Sequence, residues 1–549
     1  MTDNNDKIGR IVSVSGSQAI CLLDNPKRDP EGEAVAAADV QTGTMVRIPT
    51  PRSTIYGMVK GVSVPMATAE PNDEELKIVE LELVGERLAD GTLPDSGFQR
   101  GVSFFPAIGT SVCLTTRDDL CQIYACPAVP TARVGYVHQD SRLPAYVKID
   151  DLLGKHFAVL GTTGSGKSCA VTVVLKAILR ENQQSRILLL DPHNEYAQAF
   201  GEQAQVLDPA TTLELPYWLF NFDEICEVVV GTETDSRAAQ VTILGDAIVA
   251  ARSKFAGPKA KYPVTVDTPA PYWVSEVINV LQEAQGRLTR PESLPAYTRL
   301  ISRLKVLSND SRFSFMFSRA SAGDKMAEIL TGLFRIPVAG KPVTIVDLSG
   351  VPSEILNVVV SVLCRLTFDF AMWSESRVPI LIVCEEAHRY APQSAALGFA
   401  PTKRALAQIA KEGRKYGVSL CVVSQRPSDL AASMLSECNT VFALRMSNQS
   451  DQEFVRAAMS ESGLGLLEFL PSLRTGEAIV VGEGVPVPLR MSFDQLPALE
   501  MPRGKTASFS ESWQTEIDDT DWVAAVIDRW RRRQKGGPLH AVPRASSSG

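Results

Sequence analysis

A glycine-rich segment that ends in lysine and serine has the plainest chemistry in this chain. Its pattern is G-x-x-x-x-G-K-S over residues 161–168, between a short apolar strand and a helix predicted over 169–180. In such loops backbone N–H groups surround phosphate oxygens, the lysine adds charge at the terminal phosphates, and the serine hydroxyl can ligate Mg²⁺. The segment predicts an ATP site whose contacts come from Gly161, Thr162, Thr163, Gly164, Ser165, Gly166, Lys167, Ser168 and Cys169.

Three further strand ends carry polar side chains that suit the same chemistry. An aliphatic run ends in Glu385 and Glu386, as Walker B strands do, so Glu385 can hold Mg²⁺ and Glu386 can deprotonate the attacking water. Asp191 and Gln425 follow two other apolar runs. Ligands bind at the carboxyl ends of parallel strands, so we expect all four near the phosphates, with Gln425 sensing the γ-phosphate.

The elements that must position these residues belong to an α/β chain. From about residue 135, strands alternate with helices, which predicts a mainly parallel sheet. Before it, short β-branched runs broken by Gly, Pro, Asp and Asn predict a small β-barrel for assembly or partner docking. The predicted parts are the barrel (1–135), the nucleotide core (136–212 and 342–495), a helical insertion (213–341) and a C-terminal arm (496–549).

The composition of the 549 residues is that of ordinary globular protein, with 45% hydrophobic and 21% charged residues. The ten cysteines are scattered singly, which favours buried thiols in a reducing compartment over disulfides or zinc ligands. We see no apolar run near the roughly twenty residues of a membrane span and no signal-peptide pattern at the N-terminus. We therefore expect a cytoplasmic protein without a membrane partner.

The charge distribution is uneven. The net charge is −8, and residues 1–135 hold 12 Lys and Arg against 18 Asp and Glu, a net of −6. A surface that contacts DNA would have to use local basic patches elsewhere. One candidate is a basic loop at 252–261, although charge runs more often form solvated surface. A final amphipathic helix at about 519–533 also ends in a basic cluster, but cations are common at helix C-termini and the cluster alone does not indicate a DNA site. Its predicted apolar face of Trp522, Val526 and Trp530 suits docking on another subunit.

Taken together, these motifs resemble the HerA family of hexameric DNA-translocating ATPases, within the HerA and FtsK group of RecA-like P-loop motors. The resemblance covers most of the chain and depends on the order of the motifs. They are the barrel, the phosphate loop, Asp191-Pro-His-Asn-Glu-Tyr196, Glu385-Glu-Ala-His388, Lys411-Glu-Gly-Arg414-Lys-Tyr-Gly417 and Ser424-Gln-Arg-Pro427.

The resemblance implies a six-membered homo-oligomeric ring, with ATP at subunit interfaces and double-stranded DNA in the pore. It implies that Arg414 is an arginine finger given in trans to the neighbouring subunit, where such a guanidinium raises rates by about 10³ to 10⁵. Lys155 stands where family members commonly have arginine, so it either contacts a phosphate or is a lysine extended along the surface. Lys403 and Arg404, beside the loop after Walker B, are candidate DNA contacts.

The resemblance leaves more than one function open. The leading hypothesis is an ATP-driven DNA translocase or helicase that works with an effector in DNA end processing or anti-phage defence. The alternative is an ATPase ring that chiefly scaffolds a nuclease or a sirtuin-like NADase through its acidic barrel. A metabolic P-loop kinase would leave both the barrel and the trans arginine unexplained.

Overall fold

The polypeptide divides into two units, one formed by residues 1–187 and 366–499 and the other by 188–365 and 500–549. The computed structural model describes residues 6–24, 40–64, 76–88, 97–231, 237–257, 262–287, 294–317, 323–394, 398–459, 465–502, 509–514 and 521–532. The first unit contains the β-rich N-terminal part of the chain, the phosphate loop and the two Walker B carboxylates.

The first unit begins with a closed β-barrel. Six strands pair in the order β2-β1-β7-β3-β4-β5, pairing of β2 with β5 closes the ring, and β6 adds to β5 outside it. Alternate side chains point inward and form one apolar core that includes Ile11, Val46 and Val112. The predicted barrel is confirmed. Its strands are β1 Lys7–Ser15, β2 Gln18–Leu23, β3 Met45–Pro49, β4 Ser53–Ser63, β5 Ile78–Leu88, β6 Gln99–Arg100 and β7 Ser111–Leu114.

The later strands form the nucleotide core. They are β8 Thr131–Val137, β9 Pro144–Lys148, β10 Phe157–Leu160, β11 Ile187–Asp191, β12 Ala204–Leu207, β13 Val343–Asp347, β14 Ile380–Cys384, β15 Val418–Ser424, β16 Thr440–Ala443, β17 Glu477–Gly482 and β18 Leu489–Phe493. In the first unit the order is β14-β15-β10-β16-β17-β18-β8-β9. The pairs from β14 to β16 are parallel and the later pairs are antiparallel, so a parallel RecA-like sheet is extended by a meander.

Helices connect these strands. They are α1 Arg117–Ile123, α2 Ile149–Gly154, α3 Lys167–Glu181, α4 Ala197–Phe200, α5 Phe222–Val229, α6 Arg237–Ala256, α7 Val274–Gly286, α8 Leu294–Asn309, α9 Ser314–Phe317, α10 Met326–Leu333, α11 Leu356–Trp373, α12 Ala400–Tyr416, α13 Ala432–Leu435, α14 Gln449–Ala458, α15 Phe509–Gln514 and α16 Asp521–Arg532. One of these helices begins two residues earlier than predicted. Helix α3 starts at Lys167, and α12 starts at Ala400 because Pro401 is tolerated in a first turn.

The second unit contains β11, β12 and β13 in the order β12-β13-β11, and helices α5 to α10 lie between β12 and β13 in the chain. The carboxylate of Glu224, on α5, is fully buried and accepts hydrogen bonds from Ser361 Oγ at 2.8 Å and Arg365 Nη2 at 2.9 Å. Because both Arg365 and the N-cap of α5 use this carboxylate, it ties α5 to α11. The α/β fold with a helical insertion is therefore as predicted.

Helix α11 bears on the membrane prediction. It is 18 residues long with a mean hydropathy of 1.5, which is enough by length and composition to cross a membrane, and no other such helix occurs in the described part of the chain. Two thirds of its length is buried inside the protein, and it carries Arg365 and Asp369. Core helices of globular proteins have the same properties, so α11 is weak support for a membrane span.

The last helix exposes apolar side chains. Helix α16 covers Asp521–Arg532, and its exposed apolar side chains are Val523, Ile527 and Trp530, spaced four and three residues apart. Val526 is half-buried, and the Trp522 side chain, with Arg533 and Lys535 of the basic end, lies outside what the structure describes. The predicted face of Trp522, Val526 and Trp530 therefore stays a prediction, and Val523 and Ile527 are exposed in addition to Trp530.

Candidate active site

The phosphate loop leaves the carboxyl end of the buried strand β10 and enters α3. Gly164 and Gly166 have φ values of 77° and 97°, in the left-handed region that glycine occupies without strain. A Cβ atom on Gly161 would lie 2.7 Å from Ser165 Oγ and 2.9 Å from Leu444 Cβ. The glycines are required by this backbone path, which brings Lys167 and Ser168 into the first turn of α3, where free N–H groups favour an anion.

Side chains hold this loop in shape. Thr162 O accepts hydrogen bonds from Ser165 Oγ at 2.7 Å and from Lys167 Nζ at 3.0 Å. The lysine is 6% exposed, so its ammonium group is folded back across the loop. On another side, Ser165 O accepts the Gly476 N–H at 3.3 Å, so the segment before β17 supports the loop.

Sheet order brings the other polar strand ends to the same edge. Strand β15 lies between β14 and β10 and is parallel to both, with Ser424 opposite Leu160 and Val422 opposite Cys384. Glu385 and Glu386 follow β14, Gln425 follows β15, and the phosphate loop follows β10. The structure therefore brings these predicted residues together at the carboxyl edge.

A chain of hydrogen bonds joins the phosphate loop to the second carboxylate. Thr163 Oγ1 donates to Gln425 Oε1, and Gln425 Nε2 donates to Glu386 Oε1. Glu386 is 5% exposed and has a φ of 53° and a ψ of 42°, a left-handed conformation that a glutamate rarely adopts. Its N–H lies 3.3 Å from Glu385 Oε2. The amide of Gln425 thus links a loop side chain to the predicted base.

His388 completes this network. Its Nδ1 lies 3.3 Å from Glu386 Oε2 and 3.1 Å from Ser424 Oγ. Burial lowers the pKa of the His388 imidazole, and the neighbouring Glu386 opposes that shift. The sequence places His388 in a motif but predicts no role for its side chain. Its position shortly after the Walker B strand could have suggested a role at the site. Its contact with Ser424 could not be predicted, because it depends on β15 lying next to β14.

Arg414 lies in the last turn of α12 and is exposed. Its side chain forms no ion pair with the residues that the structure describes. The helix is fixed by His156, whose Nδ1 accepts the Leu420 N–H at 3.0 Å. Its Nε2 must then carry the hydrogen, and it donates to Ala410 O at 3.0 Å. Burial lowers the pKa of His156, consistent with a neutral ring.

Lys155 has a partner in its own chain. Its ammonium group pairs with Glu483 after β17, and this hydrogen bond holds the pKa of the Glu483 carboxyl below its usual value. Asn439 Nδ2 donates to the other oxygen of Glu483 at 3.2 Å. In this arrangement the charge of Lys155 is balanced locally, so a contact to phosphate would require the lysine to leave Glu483.

Asp191 belongs to the second unit, where it organises the turn after β11. Its carboxylate accepts hydrogen bonds from the N–H groups of His193 at 3.1 Å, Glu195 at 2.8 Å and Tyr196 at 3.1 Å. Burial raises the pKa of Asp191, and the three donors offset part of that rise. The observed contacts shape the Asp191–Tyr196 turn, and a supporting role at the phosphates stays a prediction.

The predicted basic loop at 252–261 is wrong in its first half. Residues up to Ala256 belong to α6, and Arg252 is 1% exposed, with its guanidinium donating to the carbonyls of Thr265 at 3.2 Å, Trp218 at 3.3 Å and Val266. Lys254 pairs with Glu276 at 2.6 Å. Burial of Arg252 removes it from any DNA surface, and the second half of the segment, 258–261, lies outside the described residues.

The two predicted DNA contacts lie at the start of α12. Lys403 Nζ donates to Ser394 O at 2.8 Å, so this side chain is used to fix the preceding loop. Arg404 is exposed. Their contact with DNA remains a prediction.

A magnesium site would depend on few protein ligands. The described residues contain no group of three or more His, Cys, Asp or Glu side chains that could hold a metal by themselves. Ser168 and Glu385 offer hard oxygen donors at the carboxyl edge, which suit Mg²⁺ when phosphate oxygens and water supply its other ligands. The donor set therefore fits a metal that arrives with the nucleotide.

Comparisons with known proteins agree with this chemistry. The family model described as the central domain of the helicase HerA matches residues 132–367. The DNA double-strand break repair helicase HerA of Pyrococcus furiosus is 25% identical over 454 residues, which cover 76% of this chain and 77% of that protein. The HerA of Sulfolobus acidocaldarius is 25% identical over 442 residues, covering 77% and 80%.

Two solved structures have partly similar folds. VirB4 of Thermoanaerobacter pseudethanolicus has a TM-score of 0.47 and 16% identity, covering 68% of this chain and 99% of that one. The plasmid coupling protein TrwB in complex with ADP and Mg²⁺ has a TM-score of 0.46 and 15% identity, covering 71% and 94%.

Proposed function

This chain belongs to the HerA helicase family, and from that premise we propose that it is a ring-forming motor that couples ATP hydrolysis to translocation along double-stranded DNA. It is a P-loop ATPase. The observation that carries the proposal is the hydrogen-bonded chain from Thr163 through Gln425 to Glu386, which connects the phosphate loop to a buried carboxylate. The related proteins named as DNA repair helicases support DNA as the track.

The residues divide the chemistry among them. Lys167 and the N–H groups at the start of α3 hold the phosphates, with Cys169 in the same turn. Glu386 is the general base for the attacking water, and Gln425 senses the γ-phosphate. Ser168 and Glu385 would hold Mg²⁺, which neutralises charge on the phosphates when it is bound.

The proposed ring is supported by an arginine for which the described part of the chain offers no ion-pair partner. Arg414 is exposed in the last turn of α12 without an ion-pair partner among the described residues. As an arginine finger it would stabilise the transition state of the neighbouring subunit, so hydrolysis would depend on assembly. We propose a hexamer that works in the cytoplasm. Its ten cysteines are all free thiols, which suits a reducing compartment.

The test is ATP hydrolysis by the purified protein with and without linear duplex DNA at low salt. Lys167→Ala should lose nucleotide binding, whereas Glu386→Gln should keep binding and lose about 10² to 10⁴ in rate, the range for a general base. Lys305→Ala removes an exposed lysine on α8 and serves as the control. Equal hydrolysis with and without DNA would contradict the translocase.

We further propose that an effector, either a nuclease for DNA end processing or a sirtuin-like NADase for anti-phage defence, docks on the barrel. In this case the ring chiefly scaffolds and regulates the effector. One barrel loop supports docking, because it exposes Phe104, Phe105 and Ile108 by 42%, 54% and 76%.

The experiment is copurification with a candidate nuclease and a candidate sirtuin-like NADase from the same organism. Phe105→Asp with Ile108→Asp should abolish binding while ATP hydrolysis survives, and Lys305→Ala should change neither. Binding that is lost only in nucleotide-site variants would count against barrel docking.

A further inference from the structure

Each oxygen of the Glu386 carboxylate has a polar side chain beside it, and the two side chains have different surroundings. Gln425 Nε2 donates to Oε1, and His388 Nδ1 lies 3.3 Å from Oε2. A general base must accept the proton of the attacking water on one of these oxygens. Each carboxylate oxygen can accept two hydrogen bonds, so neither side chain is forced to leave. If one of them does leave, its oxygen becomes the better proton acceptor, while the other side chain can keep the carboxylate in place.

The surroundings of Gln425 make it the partner that can exchange. Its amide oxygen accepts a hydrogen bond from Thr163, which lies in the phosphate loop. A γ-phosphate held by that loop would offer strong acceptor oxygens to the Gln425 amide N–H group. The contact between Gln425 and Glu386 is therefore open to competition from the nucleotide itself.

The surroundings of His388 make it the fixed partner. Its Nδ1 also lies 3.1 Å from Ser424 Oγ, and Ser424 is fully buried at the end of β15, where its Oγ accepts the Arg426 N–H at 3.1 Å. The Ser424 carbonyl accepts the Gly161 N–H at 3.3 Å. His388 is thus anchored to β15, the strand between β14 and β10.

The protonation of His388 is set by these neighbours. An ionised carboxylate only accepts hydrogen bonds, so Nδ1 must carry a hydrogen to be stable at 3.3 Å from Oε2. The ring is the kind of oriented donor that fixes a reactive carboxylate. Fixing is needed here because Glu386 has a left-handed backbone conformation, with a φ of 53°, that its neighbours must impose.

We propose that His388 is a positioning residue that holds Glu386 Oε2 while the Gln425 amide moves from Oε1 to the γ-phosphate of ATP. This inference rests on the proposed ATPase motor. Oε1 then accepts a proton from the water as the water oxygen bonds to the γ-phosphorus and the bond to the ADP oxygen breaks. Hydrolysis is thereby coupled to the arrival of the γ-phosphate.

The test compares three substitutions of one residue in the full-length ATPase with DNA present. His388→Ala removes the donor, His388→Asn keeps an N–H near the position of Nδ1, and His388→Gln moves its N–H farther out. We expect kcat to fall about 10²-fold in the alanine and glutamine variants, the effect of a misplaced group of about 1 Å. The kcat of the asparagine variant should stay within severalfold of the wild-type value. KM and nucleotide affinity should not change.

The asparagine and glutamine variants are both polar and of similar size, so their comparison decides the proposal even where the alanine variant unfolds. His138→Ala truncates a half-exposed histidine away from Glu386 and should keep wild-type kcat. Equal kcat in the asparagine and glutamine variants, or parallel changes in kcat and nucleotide affinity, would overturn the proposal. A wild type without ATPase activity would instead contradict the proposed function.

Discussion

Replacing Arg414 with alanine should abolish ATP hydrolysis and leave the folded subunit intact. The side chain is exposed in the last turn of α12 and forms no ion pair with described residues, so its removal leaves no buried charge behind. Alanine is also a better helix former than arginine. The free energy of unfolding should therefore change by no more than about 1 kcal/mol, the upper value for an exposed cation near a helix C-terminus.

The expected loss of activity is far larger than any local effect. A cation in the last turn of a helix contributes about 0.3–1 kcal/mol through the helix dipole. An arginine finger contributes about 10³ to 10⁵ in rate, which corresponds to about 4–7 kcal/mol of transition-state stabilisation. Arg414→Lys should recover only part of this, because lysine gives a point charge without the bidentate fork.

A mixing experiment separates a trans role from a cis role. Arg414→Ala and Lys167→Ala proteins, each inactive alone, are assembled together. A site is active when its phosphate loop comes from the first variant and its arginine from the second, which random assortment gives at about one interface in four. Lys411→Ala, an exposed cation one turn earlier, is the control and should keep activity. Mixed rings that stay inactive would refute an arginine given in trans.

Two further predictions concern stability. Burial lowers the pKa of His156, so at mildly acidic pH the imidazole binds a proton in the unfolded chain and stays neutral in the folded one. The contribution of His156 to the free energy of unfolding is therefore complete above the unfolded pKa of about 6.5 and is lost as the pH falls through the lower folded pKa. His156→Gln should reduce the difference between the free energies of unfolding measured by urea denaturation at about pH 7.5 and 5.5. An unchanged difference would contradict a neutral, buried His156. Glu224→Ala should cost about 3–5 kcal/mol in the same assay because Arg365 loses its buried partner. The double variant with Arg365→Ala should recover part of that loss, and a larger loss would count against the pair.

The elements that the sequence predicted well are those specified by local pattern. The barrel strands alternate inward and outward side chains, and the mainly apolar strands β10, β14 and β15 are buried on both faces. The phosphate loop is specified by glycines that a side chain could not replace, such as Gly166 at a φ of 97°. In each case the information lies within a few consecutive residues.

The basic loop that the sequence predicted wrongly contains an arginine whose partners are distant in the chain. Arg252 reads as part of a basic surface run, yet carbonyls of Trp218, Thr265 and Val266 enclose its guanidinium. Charge and spacing alone cannot tell a solvated or reactive group from one that satisfies backbone atoms.

In the proposed ring, the order of strands in the sheet would couple nucleotide binding in one subunit to the position of the arginine that it gives to its neighbour. Strand β15 lies between β10 and β14, so Gln425 at its end is placed to reach both the phosphate loop and Glu386. Helix α12 runs from β14 to β15, and His156, directly before β10, fixes it through Ala410, one helical turn from Arg414. In the proposed ring, the strand that carries the phosphate loop therefore also fixes the helix that serves the next site. A shift of β10 relative to β15 on nucleotide binding would move Arg414 through a rigid helix, without a flexible linker between the two.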